Sequence, residues 1–129
     1  MKISWVTVGA IFGLLSVALG AFGAHLLKEP WASHPERLAW FETGAKYQMY
    51  HAIALVLVGL LALHSRTWCI NLAGFAFSIG ILLFSGSLYL LAATEVKVLG
   101  AITPFGGVSL MIGWVALAIA GAKASKQII

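Results

Sequence analysis

His25 and His51 are the residues of this chain best suited to chemistry. An imidazole can ligate haem iron or a metal, or move a proton near neutral pH. Each stands in a stretch without Asp, Glu, Lys or Arg, so each would work in an apolar medium. Tyr47, Gln48, Ser85, Ser87, Tyr89 and Thr103 stand in similar stretches. Such groups are costly in lipid and face protein or water instead. A catalytic set does not assemble from them. The chain has no Asp, and Glu29, Glu36, Glu42 and Glu95 all lie in or near the joints between apolar runs. A small proton-coupled drug exchanger needs a carboxylate within a span, and no apolar run holds one. No glycine-rich phosphate loop follows a strand. The reading is of a protein that is not an enzyme.

Two histidines in neighbouring runs raise haem b as an alternative to a protein without cofactor. Bis-histidine ligation needs facing imidazoles at one depth and small residues beside the ring. His25 and His51 would supply the first, Gly20 and Gly23 the second. No third ligand suggests a metal site. The single cysteine, Cys69, has no ligand spacing around it and reads as a packing residue.

The elements that must position these groups are apolar. Hydrophobic residues make up 61% of the 129 and charged residues only 9%. A soluble domain carries about 25% charged residues. The uncharged stretches are Ile3–Leu27, Tyr47–Leu63, Thr67–Thr94 and Val98–Ala122. Each is near or above the ~20 residues that cross a hydrocarbon core. The fold expected is all-α: an integral-membrane, antiparallel four-helix bundle forming one domain over residues 1–129. The first run has features of a signal peptide, with Lys2 before it and small residues near Ala24. It is longer than the usual ~7–15-residue apolar region of such a peptide and rich in glycine, and reads as a retained helix.

The long joint is Lys28–Lys46; His64–Arg66 and Glu95–Lys97 are tight. Ser33-His-Pro-Glu36 reads as a capping box with Ser33 as N-cap. A short interfacial helical segment, Pro35–Glu42, is expected before the second span. It would place Trp40 and Phe41 in the head-group zone, with a bend near Gly44. Pro104 removes a backbone donor, and with Gly106 and Gly107 behind it predicts a kink in span four. Small residues at spacings of three or four, such as Gly9, Gly13, Ser16 and Gly20, predict close helix packing.

Chain direction alone sets depths. His25 ends span one; Tyr47 and His51 begin span two. Ser85, Ser87 and Tyr89 lie late in span three, and Thr103 lies early in span four. In an antiparallel bundle all of them fall in the half-membrane away from the termini. The candidate polar cluster is therefore His25, Tyr47, His51, Ser85, Ser87, Tyr89 and Thr103.

The net charge of +4 does not point to nucleic acid, because the basic residues stand mostly singly at the ends of apolar runs. Lys2, Arg66, Lys123 and Lys126 flank the terminal side; Lys28, Arg37, Lys46 and Lys97 flank the other. The count is equal, and the close C-terminal lysine pair favours cytoplasmic termini.

The strings Gly20-Ala-Phe-Gly-Ala-His25, Tyr47-Gln-Met-Tyr-His51, Leu83-Phe-Ser-Gly-Ser-Leu-Tyr89 and Thr103-Pro-Phe-Gly-Gly107 resemble the membrane family catalogued as domain of unknown function 423. The likeness covers nearly the whole chain. It implies a small bacterial-type inner-membrane protein and lends no activity. Two functions stand open. The first is an accessory or packing subunit of a membrane assembly, its partners the lipid bilayer and other membrane subunits or further copies of itself. The second is a solute- or lipid-binding protein, or a transporter, that uses the polar half-membrane site.

Overall fold

The computed structural model describes residues 2–128. The helices are α1 (Trp5–Phe22), α2 (Pro35–Ala62), α3 (Trp68–Thr94) and α4 (Leu99–Ile128). A π-helical turn, Gly23–Leu27, continues α1. All four helices are long and apolar enough to cross a membrane. The protein is an all-α, antiparallel membrane bundle, because its sequential helices are joined by connections too short to recross the bilayer.

Local sequence sets the helix ends. The Ser4 hydroxyl caps α1, accepting from the Thr7 amide at 3.2 Å. Helix α3 stops at Glu95, which takes the left-handed conformation at φ 58° and donates its amide to Leu91 O at 2.8 Å. Helix α2 departs from the expected cap. Pro35 takes the first helical position, where its missing N–H costs nothing. The N-cap is thus His34 rather than Ser33, and it makes no side-chain capping bond. Glu36 instead lies 3.5 Å from His34 Nδ1.

The interfacial segment is the first turns of α2 itself. Helix α2 runs on through Gly44 as one helix. Gly44 serves close packing: a Cβ there would stand 2.9 Å from the Tyr89 ring. Phe41, expected among head groups, is enclosed by protein at 6% exposure, with its ring 5.0 Å from that of Tyr89. Helix α4 likewise continues through Pro104 as one helix.

Helix α1 packs on α2, α2 on α3, and α3 on α4, while α2 meets α4 only lightly. Among the described residues, no packed interface joins α1 to α4. The bundle is therefore open on one side, with α1 and α4 as its flanks. Phe77, Leu55, Val58 and Cys69 lie at the centre, almost wholly buried. The outside is apolar as well: Leu14, Leu82, Val98 and Phe105 are each more than 60% exposed. Apolar surface on this scale needs lipid or another protein against it. Glycine permits the closest approaches. A Cβ on Gly9 would meet Ala52 O at 2.7 Å, and one on Gly106 would collide with the Phe84 backbone.

Candidate functional site

Helix α2 carries the centre of the polar region. Its Gln48 donates from Nε2 to Phe12 O of α1 at 2.9 Å. The Gln48 Oε1 accepts from the Tyr89 hydroxyl of α3 at 2.7 Å. One amide thus straps three helices together. Nearby, Ser85 donates to Gly44 O at 2.7 Å and Ser16 donates to Ala45 O at 2.8 Å. These hydroxyls reach α2 carbonyls from α3 on one side and from α1 on the other.

His51 lies sixteen residues beyond Pro35 (51 − 35), about 24 Å along the helix at 1.5 Å per residue. It therefore sits well inside the membrane rather than near its edge. Its Nδ1 faces Tyr47 O at 2.6 Å. Its Nε2 accepts from Trp114 Nε1 of α4 at 3.0 Å. An indole only donates, so Nε2 is the bare nitrogen and Nδ1 carries the proton to the carbonyl. Both ring nitrogens are engaged. The ring is also enclosed by aromatics, with Phe77 at 5.6 Å and Trp114 at 5.9 Å between centroids.

Ser87 and Thr103 share a hydrogen bond of 2.6 Å between α3 and α4. Ser87 also lies 2.9 Å from Phe84 O. Tyr47 is 41% exposed, and its ring packs 4.8 Å from that of Phe84. His25 is exposed on the π-helical turn, with no side-chain hydrogen bond among the described residues.

The candidate residues thus form separate links rather than one facing set. Tyr89 meets Gln48, Ser87 meets Thr103, Ser85 meets Gly44, and His51 meets Trp114. His25 joins none of them among the described residues. The two histidines do not fit a bis-histidine haem, because His25 is exposed and neither His51 nitrogen is left to bind iron. Among the described residues, no group of three His, Cys, Asp or Glu side chains stands close enough to hold a metal ion.

Two participants were not singled out by the sequence. Trp114 lies mid-span, where its N–H must find a partner; that was the available signal. Arg37 donates to Ala92 O at 2.7 Å and to Ala93 O at 3.2 Å, and pairs with Glu95 at 3.0 Å. Its guanidinium also lies 4.4 Å from the Trp31 ring centre. It closes the carbonyl end of α3 from the start of α2, a contact that no spacing rule reveals.

Residues 19–107 match the family described as "Protein of unknown function (DUF423)". The chain is 45% identical over 125 residues to the UPF0382 membrane protein YwdK of Bacillus subtilis, spanning 95% of this chain and 98% of that protein. It is 44% identical over 126 residues to a UPF0382 membrane protein of Haemophilus influenzae, spanning 98% of this chain and 99% of that one. No solved structure matches it.

Proposed function

The chain belongs to the DUF423 family of membrane proteins, and from that premise we propose that it is a non-enzymatic accessory subunit of a membrane assembly. One observation carries this reading. The buried polar groups of the half-membrane away from the termini, with His51 and Trp114 at mid-depth, spend their donors and acceptors on one another and on the backbone. A solute site needs polar groups left free to turn toward the solute, and a satisfied network locks helices together instead. The open flanks α1 and α4 offer broad apolar faces against which neighbouring subunits can pack.

The proposed setting is the cell membrane, with both termini cytoplasmic. The basic residues divide four and four between the two sides, and the close pair Lys123 and Lys126 at the C-terminal end favours the terminal side. Positive charge on cytoplasmic connections is the general rule.

Purification of the tagged full-length chain from its native membrane in mild detergent, with mass determination of the intact complex, tests the reading. A second subunit in fixed stoichiometry is the expected result. A homo-oligomer carrying a small molecule released by Gln48→Leu would replace this reading with the solute-binding one.

A further inference from the structure

The opposite end of the molecule holds a different feature. An open cleft of about 730 Å³ lies where α1 begins, α2 ends and α3 begins. All three of these helix ends lie on the terminal side, so the cleft sits at head-group depth on that face. Its walls include Trp5 and Trp68, residues typical of the membrane interface.

The polar chemistry of the cleft is of one sign. Lys2 and Arg66 line it, and among the described residues no acidic side chain does. Neither cation has a carboxylate partner among the described residues. The N-terminus of α3 opens there with its positive dipole end, and Thr67 makes no side-chain cap. The α1 terminus is already capped by Ser4 and adds no such demand.

Two hydroxyls at this place lack partners. Ser65 and Thr67 both line the cleft, and their buried hydroxyl oxygens have no hydrogen-bond partner among the described residues. Ser65 is only 4% exposed. A buried unpaired hydroxyl costs free energy, whereas the polar groups of the other half-membrane are paired. Rotation of a serine about χ1 moves its hydroxyl between staggered positions, and a phosphate oxygen seated beside it would accept that proton.

We propose that this cleft binds the phosphate of an anionic phospholipid. The two cations, the free end of α3 and the Ser65 and Thr67 hydroxyls together form an oxyanion site. The cleft is far larger than a bare phosphate needs, and its Trp5 and Trp68 walls suit the glycerol and upper acyl chain of a lipid. This site is separate from the hydrogen-bonded links around Gln48 and stands whether or not the chain is an accessory subunit.

Lipid binding to the full-length protein, measured by native mass spectrometry from neutral detergent, tests the proposal. The probes are phosphatidylglycerol, phosphatidylcholine and inorganic phosphate. Phosphatidylglycerol should bind in preference to the other two. Lys2→Gln should weaken that binding roughly fivefold, as expected for one basic residue near an anionic surface. Ser65→Ala should weaken it about tenfold with no change in charge, as expected for a hydrogen bond to a charged group. Lys97→Gln, on the other membrane side, should leave it unchanged. Equal binding of inorganic phosphate would overturn the lipid source. Equal losses in Lys2→Gln and Lys97→Gln would reduce the effect to diffuse charge and overturn the site. Undiminished binding by a folded Ser65→Ala protein would do the same, and the chain-end Lys2→Gln variant keeps the test decisive if Ser65→Ala does not fold.

Discussion

Trp114 of α4 donates its indole N–H to His51 Nε2 of α2 across 3.0 Å, joining two helices that otherwise touch only lightly. The bond lies inside the membrane, next to the buried Phe77. It makes the histidine a structural acceptor, and the first prediction follows from it.

His51→Ala should cost about 0.6 kcal/mol, and at most ~1.7, for each interhelical bond it removes. Leu55, on the same helix, is wholly buried and serves as the packing control. Leu55→Ala should cost ~2–5 kcal/mol. Unfolding of both variants in mixed detergent measures the difference. A His51 effect larger than that of Leu55 would show that the imidazole does more than hold α4.

The same geometry predicts that purified protein shows no Soret band after haem supplementation. A Soret band lost in His51→Ala would require Trp114 and Tyr47 O to release both ring nitrogens.

Glycines that look alike in sequence should behave in opposite ways. A Cβ on Gly106 collides with the Phe84 backbone, while one on Gly121 meets nothing within 4 Å. Gly106→Ala should destabilise the α3–α4 pair by ~1–3 kcal/mol. Gly121→Ala should be neutral, or stabilising by up to about 1 kcal/mol through helix propensity. Similar unfolding midpoints for the two variants would contradict the close α3–α4 approach.

Arg37 holds the end of α3 by two carbonyls and Glu95, with its side chain only 16% exposed. Arg37→Ala should cost ~1.5–3 kcal/mol, the range for hydrogen bonds to a charged group. Arg37→Lys should recover only part of this, since an ammonium lacks the planar fork. Amide exchange at Leu90–Thr94 should rise in both variants, most in Arg37→Ala. Full rescue by lysine would mean that charge alone matters there.

The orientation prediction needs only labelling. Cysteines introduced at Lys123 and at Lys28 should react with an impermeant reagent from opposite sides, with Lys123 on the cytoplasmic side. Reaction of both from one side would require an even number of crossings between them, against the three that α2, α3 and α4 supply.

The four spans and their order were legible in the sequence, because uncharged runs of this length have few other uses and water-to-lipid transfer depends on composition more than on neighbours. Chain direction also placed Tyr89, Ser85, Ser87 and Thr103 in one half-membrane, since antiparallel helices with tight joints leave depth little freedom. Partnership was not legible. Depth says nothing about which way a side chain turns around its helix, and a rotation of 100° per residue separates a buried Gln48 from an exposed Tyr47. His25 and His51 looked equivalent by type, yet the π-helical turn leaves one exposed while Trp114 and Tyr47 O enclose the other. Pro104 and Gly44 predicted irregular backbone from local rules alone. Both lie inside continuous helices, and neighbouring helices close on the bare surfaces of Gly44 and Gly106. Composition and order follow from the solvent the chain enters; the pairing of its polar groups is decided by helix rotation, which only packing against neighbours sets.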